Sequence, residues 1–282
     1  MRSYEKNVSG KSDYYIYTAS AVAKKIFFYP LHTGYFYYEP GYYLKRDNFN
    51  SFLMLLVTKG SCELKIKEGV FTVPQGSIAL VDCYAPHEYG SAHSWEASWL
   101  HFDGLLARDY YEYITQTNGN IIIPQNLQTT EHTLGKLCDI FRNSTPIREA
   151  SMSKYIVTLL TELLLSGSKE NISSRNAAAL EDTISYINEH FADPLTLEDL
   201  AQKAALSIYH FTRVFTSETG MTPHQYLIAT RLNSARFLLK STDISIKEIA
   251  FNTGFASESS FCSTFKKWEK ATPTEYRNFA SV

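Results

Sequence analysis

The chain has 282 residues, too many for one small domain and suited to two. Its 27 basic and 29 acidic side chains leave a net charge of −2, so no global positive field advertises nucleic-acid binding and any such function must rest on local pattern. No apolar run approaches the roughly 20 residues that span a bilayer. The polar N-terminal stretch lacks the apolar core of a secretory signal, and Cys62, Cys83, Cys138 and Cys262 form no CxxC pair for zinc or a disulfide framework. The expectation is a cytoplasmic protein with reduced thiols.

Up to about residue 104 the pattern is that of strands. Residues 52–58 (FLMLLVT) are an apolar run of buried-strand length. Residues 62–67 alternate, with Cys62, Leu64 and Ile66 on one face and Glu63, Lys65 and Lys67 on the other. Glu68 and Gly69 then supply a turn, and GVFTV the return strand of a hairpin. Pro74-Gln75-Gly76 turns the chain into SIALV at 77–81, and 95–102 puts Trp95, Ala97, Trp99 and His101 on one face. Short strands at this spacing predict an all-β sandwich or barrel.

From 105 to 165 the period becomes helical, clearest at 148–165. There Met152, Tyr155, Ile156, Leu159, Leu160, Leu163 and Leu164 form a broad stripe. Such a stripe packs either on its own barrel or against a second copy. Residues 166–178 (SGSKENISSRNAA) are small and polar, which places the inter-domain linker there, between domains at 1–165 and 179–282.

The C-terminal part contains a repeat. Leu197, Leu200, Ala201, Ala205 and Leu206 recur 49 residues later as Ile246, Ile249, Ala250, Gly254 and Phe255. After one inserted residue, Ser207, Phe211, Phe215, Thr222, Pro223 and Tyr226 recur 50 later as Ser257, Phe261, Phe265, Thr272, Pro273 and Tyr276. Each copy reads as helix, tight turn, helix. Thr196 and Ser245 are placed as N-caps, the latter with Glu248 in a capping box. Ala205 or Gly254 stands at the turn, and Ser207 or Ser257 caps a second helix whose phenylalanines share a face at i, i+4. Pro223 opens a connecting helix, 223–239, about 25 Å long. The layout fits two helix-turn-helix units whose second helices enter successive major grooves, about 34 Å apart.

An ordinary helical hairpin would share this pattern, but the outward faces of the second helices carry side chains suited to base edges. These are Tyr209, His210, Thr212 and Arg213 in the first unit and Glu258, Ser259, Ser260, Cys262 and Ser263 in the second. From residue 205 onward the local charge is only +3, although Lys266, Lys267 and Lys270 cluster beyond the second recognition helix, where phosphates would run. Double-stranded DNA is the expected partner.

LTLEDLAQKAALSIYHFTRVFTSETGMTPHQYL and ISIKEIAFNTGFASESSFCSTFKKWEKATPTEYR resemble the two-unit DNA-binding domain of the arabinose-regulator (AraC/XylS) family of bacterial transcription regulators, over Glu181 to Arg277. The resemblance implies that Tyr209, Thr212 and Arg213, then Glu258, Ser259, Ser260, Cys262 and Ser263, read bases. Ser263 departs from the arginine many members carry there, so the second unit is the weaker reader. More loosely, LVTKG, PQGSIALVDCYAPHEYG and WEASWLHFDG resemble the family's cupin-like sensor. This implies an α+β chain: an N-terminal cupin-like β-barrel with a C-terminal helical hairpin, then an all-α domain of two helix-turn-helix units joined by a long helix. It also implies a small effector in the barrel, a homodimer and contact with RNA polymerase, in a transcription activator.

The residues support a saccharide pocket on their own terms. Trp99 can stack on a sugar face, and Lys59, His87, Tyr89 and His101 can bond hydroxyls. The resemblance implies ligand contacts at Lys59, Tyr89 and Trp99; Trp95 and Arg46 are further candidates. Against this stands the plainer reading that Trp95 and Trp99 merely fill the barrel. A metal-binding cupin, or a regulator answering to a non-sugar effector or a partner protein, is the alternative. No HxH pair occurs, His87, His93 and His101 are scattered, and neither a nucleophile motif nor a phosphate-cradling loop is found, so no metal, cofactor or catalysis is expected.

Overall fold

The computed structural model describes residues 5–143, 146–166 and 172–278, with 172–178 described by their backbone alone. The chain divides into two compact units, 1–168 and 169–282.

The first unit runs β1 (Asp13–Ile16), α1 (Ala21–Ile26), β2 (Phe28–Tyr38), β3 (Tyr42–Arg46), β4 (Phe52–Lys59), β5 (Ser61–Ile66), β6 (Gly69–Pro74), β7 (Ile78–Asp82), β8 (His87–Ser91), β9 (Trp95–Gly104), α2 (Ala107–Asn118), β10 (Ile121–Ile122), α3 (Leu127–Arg142) and α4 (Glu149–Leu165). Its strands form two antiparallel sheets, six-stranded in the order β1-β2-β9-β4-β7-β10 and four-stranded in the order β3-β8-β5-β6. The apolar run at 52–57 follows from burial on both faces. Leu53, Leu55 and Val57 join the core between the sheets, while Phe52, Met54 and Leu56 join a second core against α2 and α4. β5 alternates instead because only one of its faces is covered: Cys62 and Leu64 are buried, Glu63 and Lys65 exposed.

The expected helical hairpin is three helices, with β10 extending the larger sheet between α2 and α3. The stripe of α4 is spent within its own unit: Met152, Ile156, Leu159, Leu160 and Leu163 are buried in the core behind the six-stranded sheet, with Tyr155 and Leu164 packed against it.

The second unit contains α5 (Ile172–His190), α6 (Leu197–Lys203), α7 (Ile208–Thr219), α8 (Pro223–Ser241), α9 (Ile246–Asn252), α10 (Glu258–Glu269) and α11 (Pro273–Asn278). The segment read as linker, 166–178, is only partly so. Residues 167–171 lie outside the described residues, and 172–178 are the first turns of α5. Two small cores follow one another along the chain. Leu180, Ile187, Leu200, Ala201, Phe211, Phe215 and Leu227 make the first; Leu232, Ala235, Leu239, Ile249, Ala250, Phe261 and Phe265 make the second. α8 belongs to both. The chain is an α+β protein, sheet-rich in its N-terminal domain and helical in its C-terminal one.

Candidate functional site

The two helical copies share one scaffold. Thr196 with Asp199 and Ser245 with Glu248 form capping boxes on α6 and α9; Ser207 and Ser257 cap α7 and α10 through the amides of His210 and Ser260. The turn between helices closes with Leu206 N–H on the Ala201 carbonyl at 3.0 Å, and with Phe255 N–H on the Ala250 carbonyl at 2.9 Å. Both turns need a left-handed residue: φ is 54° at Ala205 and 81° at Gly254. The second position also has no room for a side chain, because a Cβ on Gly254 would lie 2.8 Å from the Ala192 backbone. Inside, Phe211–Phe215 and Phe261–Phe265 have ring centroids 5.4 and 5.5 Å apart, and the following Phe215–Tyr226 and Phe265–Tyr276 pairs 5.5 and 5.4 Å.

With the phenylalanines turned inward, the predicted reading residues face solvent. Tyr209 is 80 % exposed, Arg213 is exposed, and His210 and Thr212 are half-buried. The Arg213 guanidinium lies 3.5 Å from His210 Nδ1, and the Thr212 hydroxyl donates to the Ile208 carbonyl at 2.9 Å. On α10, Glu258, Ser259, Ser260 and Ser263 are exposed and Cys262 is half-buried; the Ser263 hydroxyl donates to the Ser260 carbonyl. Lys266 and Lys267 are exposed at the end of α10. Two cations of the +3 balance are turned inward. Arg231 donates to the carbonyls of Phe191 and Asp193, and Arg277 to that of Ile244.

The first unit has a cavity of about 470 Å³ opening between its sheets, lined by Glu5, Tyr14, Ile16, His32, Phe36, Tyr38, Tyr42, Arg46, Phe49, Tyr89, Trp99 and His101. Four residues predicted from sequence meet there: Arg46, Tyr89, Trp99 and His101. Three do not. Lys59 has the parity of Leu53, Leu55 and Val57, but the register of β4 on β9 slips between Val57 and Lys59. That irregularity puts Lys59 opposite outward-facing Glu96, with which it pairs at 3.5 Å and remains exposed. Trp95 is buried and stacked on Tyr38, centroids 3.9 Å apart, so it fills the barrel as the plainer reading held. His87 is buried, with Nδ1 2.9 Å from the Ala85 carbonyl. His32, Phe36, Tyr38, Tyr42 and Phe49 were missed. So was Gly34, paired with Trp99 in register, where a Cβ would meet the indole at 2.7 Å; this glycine makes the space in which Trp99 lies.

The cavity is aromatic in its middle and charged at two ends. Tyr42 and Arg46 are four residues apart on β3, about 13 Å at strand rise. At the Tyr42 end, its hydroxyl donates to Glu5 at 2.7 Å. At the other, the Arg46 guanidinium lies over the Phe49 ring at 4.6 Å, with His32 and His101 against the same ring. Burial, then the Arg46 charge, holds His32 and His101 below the usual histidine range. Burial likewise raises the phenols of Tyr42 and Tyr89. His32 Nδ1 and Trp99 Nε1 are buried polar atoms without a hydrogen-bond partner. Among the described residues no cluster of His, Cys, Asp or Glu is arranged to hold a metal ion, and no helix is long and apolar enough to cross a membrane.

A family model for an AraC-like ligand binding domain matches residues 29–160, and one for a helix-turn-helix domain matches residues 200–278. The chain belongs to the AraC family. This AraC-family protein is 25 % identical over 253 residues to the HTH-type transcriptional activator RhaR of Mannheimia succiniciproducens, an alignment covering 86 % of this chain and 89 % of that one. It is 35 % identical over 130 residues to the HTH-type transcriptional activator RhaS of Escherichia fergusonii, covering 46 % and 45 %. The crystal structure of the DNA-binding domain of AdpA in complex with a target DNA matches with 33 % identity over 35 % of this chain and 89 % of that one, TM-score 0.35. The AraC-family chain is therefore a DNA-binding transcription regulator.

Proposed function

We propose that this regulator answers to a saccharide bound in the cavity between its two sheets, and that binding shifts how its DNA-binding units engage their operator. The observation carrying the reading is the cavity itself. An indole lies between two polar ends, and His32 Nδ1 and Trp99 Nε1 have no partner within the protein. Buried polar groups are seldom left unbonded, so each marks a place for a ligand hydroxyl or water. The effector acts by binding one arrangement of the chain better than the other.

On DNA, Tyr209, His210, Thr212 and Arg213 read base edges from α7. Glu258, Ser259, Ser260, Cys262 and Ser263 do so from α10, with Lys266 and Lys267 on phosphates. The regulator works as a cytoplasmic homodimer on adjacent half-sites of double-stranded DNA and helps recruit RNA polymerase as an activator. The dimer forms through surfaces other than the buried stripe of α4. Selection of bound DNA fragments by the full chain, with and without a panel of mono- and oligosaccharides, tests the reading. The expected result is an operator set whose occupancy one sugar changes at least tenfold. Occupancy unmoved by every sugar, with no thermal stabilisation by any, would overturn the saccharide assignment.

A further inference from the structure

We propose that the effector is an acidic saccharide, a sugar carrying a carboxylate that the Arg46 guanidinium receives. The proposal rests on the saccharide reading above and concerns what kind of sugar the cavity takes.

The hydrogen bonds around His101 fix what the histidines offer. Ser51 Oγ donates to the Phe49 carbonyl at 2.6 Å, so the same oxygen, 2.9 Å from His101 Nδ1, accepts a proton from that nitrogen. His101 Nε2 is then a lone-pair acceptor. His87, just beyond the lining, is held in the same tautomer, since a carbonyl can only accept from its Nδ1. His101 therefore presents an acceptor for a ligand hydroxyl, and burial, with the Arg46 charge beside it, keeps its imidazole neutral.

That leaves Arg46 as the fixed cation among the described lining residues. It enters none of the ion pairs formed among them, although its neighbour Lys45 is paired with Glu88. Its contact is the Phe49 ring. A half-buried guanidinium with five donors in a planar fork matches a carboxylate in two parallel bonds, each roughly twice as strong as its neutral counterpart. A neutral sugar would leave that fork with weaker hydroxyl partners.

The other end of the cavity fixes orientation. Glu5, bonded by the Tyr42 hydroxyl, repels a carboxylate there and accepts from hydroxyls instead. The acid end thus lies at Arg46, the ring against Trp99, and the hydroxyl end toward Tyr42 and Glu5. A phosphate fits less well, because its charge of about −1.5 to −2 meets one guanidinium in a cavity that already holds a carboxylate.

Isothermal titration of the full chain with D-galacturonate and D-glucuronate, their neutral methyl esters, the parent hexoses, glucose 6-phosphate and acetate tests this. At least one uronate should bind ten-fold or more tighter than its ester and parent hexose, and acetate should be far weaker. Arg46→Gln should bring acid and ester to equal affinity. If Arg46→Gln fails to fold in a thermal melt, Arg46→Lys replaces it and should keep only part of the preference. Equal binding of acid and ester, or tighter binding of the hexose, overturns the carboxylate and leaves the saccharide reading standing. Tighter binding of the sugar phosphate overturns the choice of carboxylate, and acetate matching the uronates reduces the site to an anion site. Binding by no member of the panel sinks both readings.

Discussion

The two helix-turn-helix copies can be compared residue by residue. Their interiors coincide: phenylalanine pairs 5.4 and 5.5 Å apart, turn hydrogen bonds of 3.0 and 2.9 Å, capping boxes at the same positions. Their exteriors do not. The first helix presents an 80 % exposed Tyr209 and an exposed Arg213 where the second presents serines. A repeat is held to its geometry by what it buries, since two crossing helices tolerate few shapes at their contact. The outward side chains are at most half-buried, so packing restrains them far less and they can differ in what they read.

The comparison can be broken at its strongest point first. Phe215→Ala and Phe265→Ala should each cost about 3–5 kcal/mol in chemical denaturation, with closely similar losses. Clearly unequal losses would show that the two small cores are not equivalent. Next come the turns. Gly254→Ala should cost about 2–4 kcal/mol, from left-handed strain and from overlap with the Ala192 backbone. Ala205→Gly should move stability by less than about 1 kcal/mol, because strain relieved is offset by chain entropy. A harmless Gly254→Ala would remove the steric account of the second turn.

The exteriors are tested by DNA binding. Arg213→Ala should weaken operator binding by about 1–3 kcal/mol and relax specificity at one position, whereas Ser263→Ala should change affinity by less than about 0.5 kcal/mol. Equal effects in competition footprinting would contradict the division into a stronger and a weaker reader.

The sheet unit and the helical one are separated by pH. Burial first, and Arg46 after it, lowers His32 and His101; burial chiefly lowers His87. As pH falls below about 6.5 the unfolded chain takes up those protons before the folded one. Stability present at neutral pH is then lost, by up to about 1.4 kcal/mol per pH unit for each proton. In the helical unit the lowered carboxylates are the capping groups Asp199, Glu248 and Glu275, held down by hydrogen bonds from Thr196, Ser245 and Thr272. Their contribution persists until pH falls through the folded carboxylate range, below about 4. Amide exchange on the full chain from pH 7 to 5 should show protection falling in residues 13–165 and holding in 180–278. Parallel loss in both would reject the histidine account.

Much of this was legible in the residues because it depends on neighbours in sequence. Helical period, serine and threonine caps, and the inward phenylalanines follow from spacing, and so do the in-and-out alternation of β5 and the shared face of Trp95, Ala97, Trp99 and His101 on β9. β2 escaped notice because Pro30 and Gly34 interrupt a run whose aromatics otherwise suit a strand. The extent of the linker escaped because small polar residues at 172–178 join α5 without announcing a helix.

Sequence by itself determined the repeat, its caps and the division between buried and exposed faces, because these are set over one or two turns of chain. Tertiary structure alone decided which inward-facing side chains meet in a cavity. Trp95 and Trp99 share a strand face, yet Tyr38 from another strand stacks on the first, while Gly34 makes room for the second. Lys59 has the right parity, yet a register slip against β9 turns it outward to Glu96. Pairing between distant strands sets such outcomes, and no local pattern carries them.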